Sequence, residues 1–323
     1  MPFAIWCNSE FSEPARRLLT EGVRPHTLVF SKNTSADVLA ASLSDPALAE
    51  ADIAFGQPDA NDCRRFTRLR WVEVTSAGYT RFDTPEFKDA FRARQAAFTR
   101  ASAVFADPCA QHVLGMMLAL GRNLLPAFRD QCTDHSWHYT ERRAQARLLT
   151  GQTVVMLGFG AIGRRLAELL TPFGMKLYAL RRSLHSEMGV HIIPEEKLSA
   201  VLASADHVVN ILPDSEATRN YVNARRLACC KPGARFYNVG RGTTVDHKAL
   251  IEALRSGRFD SAYLDVFERE PLPADDPLWT TPNCYLTPHA AGGRHDQDEA
   301  LVKHFLANLA ALERGGPMLD RVV

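Results

Sequence analysis

The sequence predicts an α/β protein made of two Rossmann-like domains with doubly wound parallel sheets. Three observations carry this. Short apolar, β-branched runs alternate with amphipathic helical segments along most of the chain. One run, Thr153–Leu157 (TVVML), passes directly into G-x-G-x-x-G and then into a helical pattern. At 323 residues the chain is long for one core, so two domains are expected.

The elements follow in order. Residues 3–7, 27–30, 52–55, 71–75 and 96–99 read as strands, with helical segments such as 14–20 and 36–43 between them. That alternation implies a small parallel domain of its own. Residues 107–120 (DPCAQHVLGMMLAL) read as a long buried helix, with Asp107 as N-cap and Pro108 in the first turn. Residues 121–150 carry Trp137 and many charges but no strand pattern, and read as an arm or peripheral helical element.

The central unit comes next. Gly158 permits the turn out of the strand, Gly160 lets a pyrophosphate approach the backbone, and Gly163 lets helix and strand pack closely. Phe159, Ala161 and Ile162 complete the loop, and the helix start offers free N–H groups and a positive dipole end. Ile162, Leu166, Leu169 and Leu170 share a face that leaves out Arg164, Arg165 and Glu168. A dinucleotide site is therefore expected. Further strands are read at 176–180, 191–193, 207–212, 235–239, 262–265 and 285–287, with helices at 195–203 and 246–255. An amphipathic helix at 296–312 closes the chain and could return to the first domain.

The strand after the glycine motif ends in Arg181, Arg182 and Ser183, and no acid follows before Glu187. Two guanidiniums and a hydroxyl suit a 2′-phosphate, so NADP(H) is the expected cofactor, with NAD(H) possible. A solvated basic turn is the alternative.

Composition limits the function classes. A net charge of +1 gives no reason to expect nucleic acid or an anionic membrane as partner. The first residues lack the pattern of a secretion signal, and no apolar run looks long enough to span a bilayer; the best, 113–120, fits a buried helix. Seven scattered cysteines without a C-x-x-C suggest neither a metal site nor a disulfide framework. Adjacent Cys229 and Cys230 read as buried thiols, and a reduced, cytoplasmic setting is expected.

Three segments in the last third carry chemistry. NVGRGTTVD holds Arg241, LDVFEREPLP holds Asp265 and Glu270, and LTPHAAGG holds His289, each just after a strand. Ligands of open α/β sheets bind at the carboxyl ends of strands, so these side chains could converge. They are what carbonyl reduction needs: a cation for a carboxylate, an imidazolium to give a proton, and a carboxylate to orient the imidazole.

These motifs, in this order and spacing, resemble the D-isomer-specific 2-hydroxyacid dehydrogenase family from about Trp71 to the terminal helix. The resemblance implies His289 as acid/base, Glu270 as its partner, Arg241 on the substrate's carboxylate and carbonyl, and Asp265 on the nicotinamide carboxamide. TSAGYTRFD matches the family's substrate loop, where the N–H groups of Ala77 and Gly78 would bind the carboxylate. Leu212, Pro213, Thr218, Val239 and Gly240 fall where the family lines its cofactor cleft. It further implies an NAD(P)-binding Rossmann domain over residues 102–290 and a flavodoxin-like substrate domain over 1–101 and 291–323, closing on each other during turnover. A homodimer embraced by the arm is implied as well.

The sequence departs from the family in four places. Tyr79 follows Gly78 where a small residue and then an acid are usual. Gln111 replaces Glu, and Asn210 replaces a common His. Arg181 replaces the usual Asp, as in the glyoxylate/hydroxypyruvate reductase branch. The expected activity is therefore NAD(P)H-dependent reduction of a small 2-keto acid to its 2-hydroxy acid. The alternatives are NAD-linked oxidation of a 2-hydroxy acid such as 3-phosphoglycerate, and a dinucleotide-sensing, corepressor-like binding protein.

Overall fold

The fold is that of a computed structural model, which describes residues 2–35, 43–181, 187 and 189–323. Most of the helix expected at 36–43 lies outside the described residues, as do Arg182 and Ser183. The chain divides into two compact units, Met1–Phe105 with Arg294–Val323, and Ala106–Gly293.

In the first unit, β1 (Ala4–Ser9), β2 (Thr27–Ser35), β3 (Ile53–Gly56), β4 (Trp71–Val74) and β5 (Ala97–Arg100) form a parallel sheet of order β2-β1-β3-β4-β5. Helices α1 (Glu13–Gly22), α2 (Ala60–Arg65) and α3 (Pro85–Ala93) connect the strands. Side chains alternate between two cores, as the pleat requires. Ile5, Phe55 and Trp71 enter one core, and Trp6, Ala54 and Val72 the other. Burial on both faces is why these strands read as continuous apolar runs.

The division between units falls within α4 (Ser102–Gly121), which is followed by α5 (Leu124–Cys132) and α6 (Tyr139–Gln145). The second unit continues with β6 (Thr153–Leu157), α7 (Ala161–Leu170), β7 (Lys176–Leu180), β8 (His191–Ile193), α8 (Leu198–Leu202), β9 (His207–Asn210) and α9 (Ala224–Cys229). It ends with β10 (Ala234–Asn238), α10 (His247–Arg255), β11 (Phe259–Leu264) and β12 (Cys284–Leu286). The sheet is parallel, of order β12-β11-β10-β9-β6-β7-β8, and its order reverses between β6 and β9. That reversal is where such sheets take a ligand at their carboxyl ends. The doubly wound parallel architecture expected from the sequence is present in both units.

The structure corrects three expectations. The long helix starts at Ser102 rather than at an Asp107 cap, and Pro108 lies inside it. Proline removes one backbone bond there, but burial of Val104 and Ala106 carries the helix across it. Begun at Ser102, the helix is long and apolar enough to cross a membrane by length and composition, unlike the shorter run judged from sequence. Its Ala110, Val113 and Met117 lie in the second unit's core. Finally, Cys230 is buried but Cys229 is half-exposed; all seven cysteines are free thiols.

The closing helix, α11 (Gln297–Glu313), belongs to the first unit. Its Phe305 stacks on Phe55 at 4.2 Å and on Trp71 at 4.8 Å. Beside that stack, the fully buried Glu73 carboxylate accepts from Thr99 Oγ1 at 2.8 Å and Asn308 Nδ2 at 2.6 Å, and pairs with His304 Nδ1 at 3.0 Å. His304 Nε2 faces Asp320 at 3.3 Å. Buried polar groups of this kind are stable only as a closed set.

Candidate active site

The glycine motif is held between β6 and α7. Gly158 has φ +98°, and an added Cβ would meet the Ile211 carbonyl at 3.1 Å, so the turn admits only glycine. Gly160 precedes α7, where no side chain caps the helix start. A Cβ on Gly160 would meet nothing within 4 Å, so the chain leaves a cradle open at the uncapped N–H groups. A dinucleotide pyrophosphate fits that cradle. Phe159 is buried, while Ala161 and Ile162 are half-buried. Leu212 and Pro213 follow β9, β6's neighbour at the reversal, and Thr218 Oγ1 donates to the Pro213 carbonyl at 2.6 Å. Val239 and Gly240 follow β10, both buried.

Arg181 follows β7, and its Nη1 donates to Glu187 Oε2 at 3.1 Å. The other Glu187 oxygen accepts from Arg164 Nε at 2.5 Å. These bonds, Arg164's first, hold the Glu187 carboxyl below its ordinary range.

At the carboxyl ends of β10, β11 and β12 a second group assembles. Asp265, just past β11, is buried, and its carboxylate accepts from Thr287 Oγ1 at 2.5 Å, Ala290 N at 2.8 Å and Ala291 N at 3.0 Å. This knot fixes the loop that carries His289, whose backbone sits at φ +52° with its N–H on the Asp265 carbonyl at 2.9 Å. A left-handed backbone at a non-glycine residue persists only where its surroundings over-determine it. The His289 ring pairs through Nδ1 with Glu270 Oε2 at 2.7 Å, and Glu270 Oε1 accepts from Phe267 N at 2.8 Å. Burial pushes the Glu270 carboxyl up, but the bonds from His289 and Phe267, with the charges of His289 and Arg241, hold it below its ordinary value.

Arg241 sits on the turn after β10. Its Nη1 donates to the Gly240 carbonyl at 2.7 Å, and its own carbonyl accepts from Thr244 Oγ1 at 2.6 Å. Asn210 Nδ2 ties that turn to β9 through Asn238 Oδ1 at 2.9 Å and Thr244 Oγ1 at 2.7 Å. A Cβ on Gly242 would lie 1.8 Å from the Phe267 carbonyl carbon, so the turn and the loop leading to Glu270 pack backbone on backbone. The second unit thus brings Arg241, Asp265, Glu270 and His289 together.

Ala77 and Gly78 belong to the first unit, in the loop after β4. The carbonyls of Ser76, Ala77 and Gly78 accept from Ala101 N at 3.0 Å, Arg100 Nη1 at 3.2 Å and Ser76 Oγ at 2.6 Å. Among the described residues, the N–H groups of Ala77 and Gly78 have no acceptor. Engaged carbonyls beside N–H groups that have no acceptor among the described residues give this loop the donor pattern of a small anion-binding nest. Tyr79 rests under the Arg100 guanidinium at 5.1 Å. Gln57, 1% exposed, orients the loop by donating to Thr75 Oγ1 at 3.1 Å and Ser76 Oγ at 3.2 Å, and accepts from Arg81 Nη2 at 2.7 Å. Sequence reasoning missed Gln57, Arg100, Arg164 and Thr287. Thr287 alone carried a signal, two positions before His289 in LTPH.

Residues 114–291 match the family model for the NAD binding domain of D-isomer specific 2-hydroxyacid dehydrogenase. A glyoxylate reductase of Korarchaeum cryptofilum is 30% identical over 309 residues, covering 94% of this chain and 84% of that protein. Glyoxylate/hydroxypyruvate reductase B of Escherichia fergusonii is 32% identical over 289 residues, covering 83% of each. Among solved structures, a D-isomer specific 2-hydroxyacid dehydrogenase from Xanthobacter autotrophicus Py2, in complex with NADPH and MES, superposes with a TM-score of 0.82 at 29% identity, over 100% of this chain and 98% of that one.

Proposed function

The chain belongs to the D-isomer-specific 2-hydroxyacid dehydrogenase family, and from that premise we propose that it reduces a small 2-keto acid of the glyoxylate or hydroxypyruvate kind, with NADPH preferred. It is an NAD(P)-dependent oxidoreductase of the class acting on CH–OH groups. The observation that carries the reading is the 2.7 Å pairing of His289 Nδ1 with Glu270. A carboxyl held below its ordinary value is ionised at neutral pH, so Nδ1 must donate to it. That leaves Nε2 as the nitrogen that moves a proton.

When bound, the nicotinamide supplies the hydride to the carbonyl carbon. His289 Nε2 gives a proton to the carbonyl oxygen, and Glu270 stabilises the imidazolium and fixes the ring. Arg241 takes carboxylate and carbonyl oxygens in its planar fork. The N–H groups of Ala77 and Gly78 are carboxylate anchors. The loop from Gly158 to Gly163 takes the pyrophosphate, and Leu212, Pro213, Thr218, Val239 and Gly240 line the cofactor. Arg181, with Arg182 and Ser183, takes the 2′-phosphate. Asp265 accepts from the carboxamide with the lone pair its knot leaves over. Residues 102–290 serve as cofactor domain, and 1–101 with 291–323 as substrate domain.

The same reading makes the protein a cytoplasmic homodimer. Neither α5 nor α6 buries a residue, and Phe128, Leu148 and Trp137, the last 90% exposed, leave apolar surface on the arm. A dimeric mass in light scattering is expected; a monomer at micromolar concentration would refute it. Activity is tested by NADPH oxidation across a panel of 2-keto acids. We expect turnover with glyoxylate or hydroxypyruvate, about tenfold or greater preference in kcat/KM for NADPH over NADH, and loss of about 10²-fold or more of kcat in His289→Ala with NADPH still bound. No turnover with any acid of the panel would overturn the reading.

A further inference from the structure

The basic end of β7 is already engaged with an anion. The two oxygens of Glu187 are held by different guanidiniums: Oε1 by Arg164 Nε at 2.5 Å and Oε2 by Arg181 Nη1 at 3.1 Å, with Arg164 Nη2 also 3.3 Å from Oε2. The two arginines come from fixed places. Arg164 follows Gly163 in α7, and Arg181 directly follows β7, the strand beside β6. In a Rossmann unit the end of that strand is where the adenosine ribose is read. The neighbouring Arg165 is spent elsewhere, on Asp107 at 2.5 Å and Glu168 at 2.7 Å. The three side chains of the cluster are 30–38% exposed, so a ligand can reach them.

We propose that Arg164 and Arg181 form a two-guanidinium clamp for the cofactor's 2′-phosphate, and that Glu187 is the internal anion occupying the clamp in its absence. The inference rests on the NAD(P)H reading above and adds what sets the choice between the two cofactors. Guanidinium forks bind carboxylate and phosphate in the same way, so the two anions compete for one place. The phosphate carries nearly two charges against one, and it wins where both guanidiniums are present. A cofactor without that phosphate leaves Glu187 in place, where its carboxylate accepts from the ribose 2′-hydroxyl, the part usually taken by an acid at the end of the second strand. Glu187 thus opposes NADPH and favours NADH.

Equilibrium titration of the intact protein, followed by nicotinamide fluorescence and by displacement with adenosine 2′,5′-bisphosphate or 5′-AMP, tests this without turnover. Glu187→Gln is expected to tighten NADPH and the bisphosphate by about threefold or more, the scale of a partly exposed ion pair. NADH and 5′-AMP, which both present the ribose 2′-hydroxyl, should bind no tighter than before and should shift together. Arg164→Gln should weaken NADPH and the bisphosphate while sparing NADH. Unaltered NADPH affinity in Glu187→Gln, or an equal gain for both cofactors, would overturn the proposal. A parent protein that binds neither cofactor would instead remove the cofactor reading beneath it.

Discussion

Glu270 is the residue on which the pH behaviour turns. Burial, the largest influence, pushes its carboxyl up, but the bonds from His289 and Phe267, together with the charges of His289 and Arg241, hold it below the ordinary range. It therefore stays ionised across neutral pH and is protonated only below the ordinary carboxylate range. The charge that holds the His289 ring is thus present down to that pH, and kcat/KM for reduction should lose it only there. Glu270→Gln keeps a hydrogen bond to the ring but removes the charge, and should lower kcat by about tenfold or more. Measuring kcat/KM of parent and variant across the acid range checks this, and a variant with parental kcat contradicts it. His289, Glu270, Arg241 and Asp265 were legible because each lies in a short segment just after a strand run. Gln57 and Arg100 were not. They act on Ala77 and Gly78 from about 20 positions away, through bonds that no local pattern announces.

At the scale of elements, legibility followed burial. β6, β7 and β8 lie where their runs predicted, whereas β2 extends five residues further, through Ser31–Ser35. β2 is an edge strand, and polar residues on an edge hide it from a hydrophobic reading. β11 likewise begins earlier than read, because Asp260 points outward to Arg235 at 2.8 Å. The start of α4 was misread because proline is a better sign of a first turn than of an interior. The backbone contact of Gly242 with Phe267 has a direct consequence. Gly242→Ala places a methyl inside the loop that leads to Glu270. It should destabilise the protein by about 1–3 kcal/mol and lower kcat. Urea unfolding alongside kinetics checks both effects, and parental values for both would show that the loop yields freely.

The first unit, as a whole, is closed by a charge as well as by a core. Burial alone would lower the His304 pKa, but Asp320 and Glu73 raise it to about 9. An unfolded histidine titrates near 6.5. The pair's contribution is therefore complete below about pH 6.5 and is lost as pH rises through about 9. It is of the order of 3 kcal/mol. Thermal melts of the parent should fall across that window, and His304→Gln should melt lower but with a flatter profile. Parallel profiles would dismiss the pair as a source of the pH dependence.

That closure also sets an order on biosynthesis. Phe305 covers Phe55 and Trp71, yet the roughly 190 residues of the second unit separate them along the chain. At ribosomal rates those residues take about 10–40 s to emerge. Throughout that interval the nascent sheet of the first unit waits with an aromatic face bare, while the second unit has everything it needs to fold. A released chain truncated after Gly293 should therefore show a protease-resistant 106–293 fragment preceded by a protease-sensitive first hundred residues.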